Sequence, residues 1–309
     1  MKIITILGGV LLPAACGDES GGKAGSGSDD SSSTAYSLAA WTLEPGTRIF
    51  QATSSCTLRL ADDTYRTYLA GITTSTSPDG LTWTALSGVG LVGASGEFLR
   101  NPAALRQPDG TILMIYESVT NNTRMRFYRA TSLDGAVFTQ TPAALASGAV
   151  MLPETDENDF ISVPDLLRVD EATLRLYFVA GGDHVESAVS RDDGFTWTRE
   201  GDIVPSGLPP GQWVVDPDAV RLPEGDLRLF FATPPDGVPG LLNKRIRSAI
   251  STDGRNFVLE PGDRVGVESG DQDRLDPDVV LLPDGSYRMY FGEATSARGT
   301  YDLKSAVSR

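Results

Sequence analysis

The chain has 309 residues, of which 40% are hydrophobic and 8% aromatic, so it can bury a large core and wholesale disorder is excluded. Its 41 acidic and 26 basic side chains give a formal net charge of -15, which repels phosphate backbones and argues against a nucleic-acid partner. One histidine and two cysteines cannot build a zinc site from several such ligands. No cofactor is required by this composition, and calcium, bound through oxygens, is the metal that would suit it.

Residues 1–15 are predicted to be a signal peptide. A short positive start precedes an apolar stretch from Ile3 to Leu12, and small residues come just before Cys16. The stretch resembles the lipobox of bacterial lipoproteins, whose cysteine is lipidated, although Pro13 stands where that pattern has leucine. A plain secretory signal is the competing interpretation. Both predict a protein outside the cytoplasm, either secreted or held in the bacterial cell envelope by a lipid at Cys16, its only membrane contact.

Residues 16–38 are predicted to be a flexible tether, because they are rich in glycine, serine and aspartate and have too few apolar side chains to offset the entropy of ordering. Residues 39–309 are predicted to form the folded domain. Within that domain Cys56 is the only cysteine, so the fold depends on its core and not on a disulfide.

A repeated motif of serine, aspartate, glycine and an aromatic residue, here called the Ser-x-Asp motif, recurs about every 60 residues through the domain. It occurs at Ser77–Trp83, Ser132–Phe138, Ser190–Trp197 and Ser251–Phe257, and Ser305 begins a further copy. Such spacing is typical of a repeat architecture in which each unit is one small sheet.

A second motif, here called the x-Pro-x motif, falls between successive copies of the first. It occurs as Asn101-Pro102-Ala103, Val163-Pro164-Asp165, Asp216-Pro217-Asp218 and Asp276-Pro277-Asp278, with Ser54-Ser55-Cys56 as a degenerate first copy. Each copy predicts a strand, a polar turn and an apolar strand. Two further strands are expected on either side of the Ser-x-Asp turn, so each unit is predicted to have four short strands. Five units predict an all-β, five-bladed β-propeller. Proline suits the innermost strand of a blade, because that strand is a free edge facing the central channel.

The two ends of the domain are predicted to close the ring. The chain stops at Arg309, before the outer strand of its last blade. The segment Trp41–Arg48 parallels Phe257–Arg264, which belongs to the outer strand of an earlier blade. The N-terminal strand is therefore expected to pair beside the C-terminal strand.

The Ser-x-Asp motif resembles the Asp-box of sialidases, with the full spacing at Ser190–Trp197. Those enzymes have six blades and an arginine triad, whereas this chain supplies five units. In an Asp-box turn, serine and aspartate side chains satisfy backbone groups, so the resemblance implies a structural role and not a substrate.

The x-Pro-x motifs at Asp216 and Asp276, with the strands that follow them, resemble the blade openings of five-bladed arabinanases and β-xylosidases of glycoside hydrolase family 43. In that family the aspartate before proline in one blade is the general base. The aspartate of the next blade tunes the acid, and a glutamate opening the third is the general acid. The resemblance implies Asp216 as base and Asp276 as the tuning residue, but the third position is Ser54, which carries no carboxylate.

Inverting hydrolysis needs two carboxyl groups about 6.5–9.5 Å apart, so an acid from a loop would have to replace the missing glutamate. Candidates are Glu186, Glu293 and Glu97, none of which stands at the family position. The alternative interpretation of each is a solvated charge on a loop.

Several polar and aromatic side chains are predicted to meet at one mouth of the channel and to bind substrate. Five aspartates open inner strands in three consecutive blades: Asp165, Asp216, Asp218, Asp276 and Asp278. Carboxylates so close together must be protonated, hydrogen-bonded or paired with a cation. A calcium ion and the arginines Arg274, Arg100 and Arg247 are candidate partners. The alternative is that the aspartates cap strand ends by accepting backbone N–H groups.

Two single residues each have a functional and a structural interpretation. Trp213 precedes Asp216 by three positions and either stacks on a sugar face or packs between blades. His184, the one histidine, is a catalyst or a hydrogen-bonded loop residue.

Three functions remain compatible with the sequence. The first is a lipid-anchored, monomeric propeller that recognises glycans and lacks the complete hydrolytic site. The second is an active, inverting glycoside hydrolase with Asp216 as base. The third is a structural or protein-binding surface propeller without sugar specificity.

Overall fold

A computed structural model of the chain describes residues 41–87, 90–91, 97–120, 124–143, 145, 148–236, 243–267, 272–294 and 300–308. The predicted signal, the tether and the lipidation site at Cys16 lie outside the described residues. Among the residues described, no helix has the length and apolar character needed to cross a membrane.

The described residues form five four-stranded antiparallel sheets, which confirms the predicted five-bladed propeller. Blade 1 holds β2 (Cys56–Arg59), β3 (Tyr65–Leu69), β4 (Thr73–Ser77) and β5 (Thr84–Leu86). Blade 2 holds β6 (Glu97–Arg106), β7 (Ile112–Thr120), β8 (Arg124–Ser132) and β9 (Thr139–Gln140). Blade 3 holds β10 (Ile161–Arg168), β11 (Leu174–Ala180), β12 (His184–Ser190) and β13 (Thr198–Ile203).

Blade 4 holds β14 (Val215–Arg221), β15 (Leu227–Thr233), β16 (Arg245–Ser251) and β17 (Val258–Leu259). Blade 5 holds β18 (Asp273–Leu281), β19 (Tyr287–Ala294), β20 (Asp302–Ser308) and, from the other end of the domain, β1 (Trp41–Leu43). A single turn of 3-10 helix, Ala70–Ile72, connects β3 to β4.

The core lies between the blades, because each sheet buries both of its faces against its neighbours. The second strand of blade 3, β11, is buried at every position, which explains its continuous apolar sequence. Aromatic side chains pack edge to face at all five interfaces between blades, with ring centroids 5.3–6.1 Å apart. The pairs are Trp83–Tyr290, Tyr68–Phe138, Phe127–Phe178, Tyr177–Phe257 and Trp41–Phe230.

The ring closes as the sequence predicts, by pairing of β1 with β20. Glu44, just after β1, accepts two hydrogen bonds from Arg288 at 2.9 and 3.0 Å and one from Ser305 Oγ at 2.6 Å. In blade 4, Glu260 is held in the same way by Arg228 on the second strand and by a serine of the third strand. Glu44 of the N-terminal segment therefore has the same role in blade 5 as Glu260 has in blade 4.

The Ser-x-Asp motifs form tight turns that are hydrogen-bonded to the neighbouring blade. In the first copy Ser77 Oγ accepts the backbone N–H of Gly80, and Asp79 accepts those of the two residues after the glycine. Tyr290 of blade 5 then donates to the Gly80 carbonyl at 2.8 Å. A Cβ at Gly80 would lie 2.6 Å from that phenol oxygen, and the φ of +70° is also unfavourable for other residues, so glycine is required.

Candidate functional site

A bulge in the inner strands of blades 2 to 5 directs the side chains of the x-Pro-x motifs into two rings. The residue before proline, or Ser54 in blade 1, has a left-handed backbone with φ between 46 and 54°. The pairing register shifts at this point in blades 2 to 5, which re-aims the side chains on either side of the proline. The outer ring, formed by the first residue of each motif, lines a cavity at the mouth of the channel: Ser54, Asn101, Val163, Asp216 and Asp276. The inner ring, formed by the third residue, lines the channel itself: Cys56, Ala103, Asp165, Asp218 and Asp278.

The inner ring joins neighbouring blades. Asp165 accepts the backbone N–H of Ala219 in the next blade at 2.9 Å, and Asp218 accepts that of Val279 at 3.2 Å. Asp278 accepts the N–H of Thr57 at 3.0 Å. These contacts show the three aspartates capping the inner strand of the following blade.

Cys56 continues the pattern with its thiol, because the N–H of Ala104 lies 3.1 Å from its sulfur. Burial raises the pKa of Asp165 to about 7 and raises those of Asp218 and Asp278 above the ordinary value. The channel is thus lined by carboxyl groups that resist ionisation.

Asp216 is the most unusual group of the mouth cavity, which has a volume of about 510 Å³. Its residue is only 9% exposed. Burial, with a smaller contribution from the neighbouring charge of Asp276, raises its pKa to about 8, and Lys244 acts in the opposite direction. Asp216 therefore carries a proton near neutral pH and presents a carboxylic acid to the cavity.

Asp276 is the second carboxyl group of this cavity and lies in the adjacent blade. Its Oδ2 accepts hydrogen bonds from Thr53 Oγ1 at 2.6 Å and from Ser54 Oγ at 2.7 Å. Because these donors come from blade 1, they connect the last blade to the first and hold the carboxyl group in one orientation. The cavity thus has a carboxyl group that donates beside one that accepts.

A buried ion pair fixes the wall next to these aspartates. Asp273, 4% exposed, accepts from Lys244 Nζ at 3.2 Å and from the phenol of Tyr301 at 2.6 Å. Lys244 and Tyr301 both line the cavity. No sequence motif connects these three residues, so their meeting is not predictable from the sequence, although Asp273 stands three positions before Asp276.

The opposite wall depends on Glu117, which is fully buried on β7. Its carboxylate lies 2.6 Å from Arg100 Nη2 and accepts from Asn101 Nδ2 at 2.7 Å and from Ser162 Oγ at 2.6 Å. Arg100 and Asn101 are thereby oriented along the cavity wall. Glu117 belongs to neither repeated motif, and its one signal in the sequence is that a charged residue inside the apolar run of β7 needs a buried partner.

The arginines have carboxylate partners other than the motif aspartates, so the expected charge balance is wrong in this respect. Arg274 lies 2.7 Å from Glu293, and Arg247 lies 3.1 Å from Asp236. Arg100 is paired with Glu117. In the described structure, Asp165, Asp218, Asp278 and Asp276 instead accept hydrogen bonds from backbone N–H groups or hydroxyls.

The glutamates named as possible acids lie outside the residues that line the mouth cavity. Glu186 is 2.8 Å from Arg199, and the nearby imidazole of His184 is the main cause that lowers its pKa. A depressed pKa makes it a poor proton donor at neutral pH. Glu293 is held by Arg274 at the end of β19.

His184 begins β12 and lies 2.8 Å from Asp183 through Nδ1. Its other nitrogen faces Glu186 and Asp202, each at 3.8 Å, and the ligand atoms of these three residues all lie within 4.8 Å of one another. The nearby carboxylate of Glu186 is the main cause that raises the pKa of the imidazole to about 9. Trp213 is half-buried and is not among the residues that line the mouth cavity. Calcium binding by the motif aspartates stays a prediction.

Comparisons with known proteins place the fold. No protein-family profile matches the sequence, and a search of curated proteins finds no match. The chain is similar to an N-acetylgalactosamine deacetylase from F. plautii, solved with blood group B trisaccharide. That match has a TM-score of 0.68 and 11% identity and covers 87% of this chain and 95% of the deacetylase.

Two glycosidases show the same architecture. A thermostable family-43 glycoside hydrolase matches with a TM-score of 0.60 and 15% identity, over 86% of this chain and 91% of the enzyme. An α-L-arabinanase from Penicillium chrysogenum, complexed with arabinobiose, matches with a TM-score of 0.58 and 14% identity, over 85% of this chain and 83% of the arabinanase. The chain thus has the five-bladed propeller fold of family-43 glycosidases, as its x-Pro-x motifs indicate.

Proposed function

We propose that the mouth cavity binds a carbohydrate and that the protein is a glycan-recognising propeller that acts outside the cytoplasm. The observation that carries the proposal is that one cavity is lined by Asp216, a buried carboxyl group whose pKa is raised, and by Asp276, a carboxyl group held as an acceptor by two hydroxyls. Sugar hydroxyls both donate and accept hydrogen bonds, so adjacent donor and acceptor carboxyl groups match them.

The rest of the cavity supports the same class of ligand. Its walls combine Lys244, Arg100 and Tyr301 with the apolar side chains of Phe160 and Leu275. A few oriented polar groups on a mainly apolar surface are typical of small-ligand sites, and the volume lies within their usual range. The structural neighbours named above also include proteins solved with a trisaccharide and with arabinobiose.

Hydrolysis is the second candidate function, because a protonated Asp216 beside Asp276 is a pair that acid–base chemistry can use. The family arrangement is incomplete, since the position after Asp276 around the ring is Ser54. Among the described residues that line the cavity, Asp216 and Asp276 are the only carboxyl groups. Binding without inverting glycoside hydrolysis is therefore the first proposal.

The direct test is binding of the full-length protein to arabinan-, xylan- and N-acetylgalactosamine-containing oligosaccharides, measured by calorimetry. Asp276→Asn should weaken binding about tenfold or more, because the amide offers a sugar hydroxyl one acceptor oxygen fewer, and a buried group left without its hydrogen bond costs about 1–3 kcal/mol. Asp284→Asn, on an exposed turn of the same blade, is the matched control and should leave affinity unchanged.

The same samples are incubated with aryl arabinosides, xylosides and galactosides. Turnover that Asp216→Asn abolishes would establish the hydrolase instead. Binding of no sugar at all, with protein partners recovered, would contradict the proposal and favour the structural or protein-binding function.

A further inference from the structure

A second cavity, here called the blade 1 groove, adjoins the mouth cavity and has a volume of about 500 Å³. Thr53, Ala70 and Tyr301 line both cavities, so the two cavities lie side by side. The groove passes between the segment Ile49–Thr53 and the outer strands β4 and β5 of blade 1. Nothing in the binding proposed for Asp216 and Asp276 uses this space.

Phe50 lies on the edge of the groove and is 76% exposed, although it is a large aromatic side chain. Its backbone is fixed on both sides by β20. The carbonyl of Ile49 accepts the N–H of Leu303 at 2.9 Å, and the N–H of Gln51 donates to Asp302 Oδ1 at 2.9 Å. An exposed ring on an anchored backbone loses little entropy when a ligand stacks on it.

Thr74 provides a second, independent observation in the groove. The residue is 1% exposed and lines the groove, and its hydroxyl has no hydrogen-bond partner among the described residues. A buried hydroxyl without a partner costs about 1–3 kcal/mol. A polar ligand atom that reached this hydroxyl would remove that cost.

We infer that an oligosaccharide of several sugar units occupies both cavities, with one end at Asp216 and Asp276 and its further units running through the blade 1 groove to Phe50. This inference rests on the proposed function and deepens it, since it names the ligand class as a chain and not a monosaccharide. The apolar face of a sugar ring would stack on Phe50, and a sugar hydroxyl would pair with Thr74. Because the two cavities share part of their lining, one chain that occupies both is favoured over two separate ligands.

The test is a calorimetric length series on the full-length protein, with arabinan-, xylan- and N-acetylgalactosamine-containing oligosaccharides of increasing length. We expect affinity to rise at least tenfold between the shortest bound sugar and chains long enough to reach Phe50. Phe50→Ala should remove most of that gain and leave affinity for the shortest sugar unchanged. Leu133→Ala, which alters a side chain that is 88% exposed on a turn of blade 2, is the control.

Thr74→Val keeps the inference testable if Phe50→Ala disturbs the segment around it. Removing an unpaired buried hydroxyl should leave the melting temperature unchanged or raise it. The same change should weaken binding of long chains only. A gain in thermal stability with unaltered affinity for every chain length would overturn the assignment of Thr74.

The outcomes separate the inference from the proposal on which it depends. If Asp276→Asn weakens binding but affinity is independent of chain length, the groove is not a sugar site and the mouth cavity still is. If no sugar binds, both the inference and the proposed function are overturned. If the chain dimerises and Phe50→Ala abolishes the dimer, the groove is an interface between copies and the inference is overturned.

Discussion

Replacing Glu44 by alanine should lower the free energy of unfolding of the propeller by about 3–5 kcal/mol, because it leaves Arg288 buried without its partner. The Arg288 residue is 7% exposed, and both of its hydrogen bonds to a carboxylate go to Glu44. Glu44 also accepts from Ser305 and follows β1, so the change acts where the two ends of the domain join. The effect should exceed that of any exposed charge.

Chemical denaturation at neutral pH measures this effect, with Glu224→Ala as the control. Glu224 is an exposed carboxylate on a turn of blade 4, and its loss should change stability by no more than about 0.5 kcal/mol. Equal stability of the two variants would mean that closure by the N-terminal segment contributes little.

Asp216→Asn should change how stability depends on pH. The raised pKa means that the folded state holds a proton that the unfolded state releases above the ordinary pKa of 3.8. The stabilisation from Asp216 is therefore fully present below that pH and is lost as pH rises to about 8. Over this window wild-type stability should fall relative to the variant by up to ~1.4 kcal/mol per pH unit.

Unfolding free energies of wild type and Asp216→Asn between pH 4 and pH 9 test this expectation. The variant should gain on wild type as pH rises and then reach a plateau above the pKa. Asp284→Asn, on an exposed turn of blade 5, is the control. A flat difference for Asp216→Asn would show that this carboxyl group ionises normally and is not a proton donor in the cavity.

The fold followed from the sequence because each blade repeats the same local chemistry. The turn residues of the Ser-x-Asp motifs and the prolines of the inner strands have strong local preferences that do not depend on distant contacts. Ring closure was predictable for the same reason, since Trp41–Arg48 repeats the pattern of an outer strand. Periodicity of this kind is visible in one sequence without any structure.

The site was only partly predictable, because its geometry depends on where a bulge directs each side chain. The sequence places Asp216 and Asp218 two positions apart, and nothing local shows that the first faces the mouth cavity and the second the channel. The left-handed residue before proline separates them, an unusual backbone state for aspartate.

Buried ion pairs were missed because their partners come from separate blades or distant strands. Lys244 and Tyr301 meet Asp273 across 29 and 28 positions of sequence, and Glu117 meets Ser162 across 45. Such contacts have no signature in spacing. The three arginines named as candidate partners of the aspartates pair with other carboxylates, and the spacing of the sequence does not show these pairs either.

The most direct test of the proposed binding site is a crystal structure of the full-length protein with the tightest-binding oligosaccharide. The account predicts a sugar unit in the mouth cavity with its hydroxyls hydrogen-bonded to Asp216 and Asp276. A sugar bound elsewhere, with both carboxyl groups in contact with protein atoms alone, would contradict it.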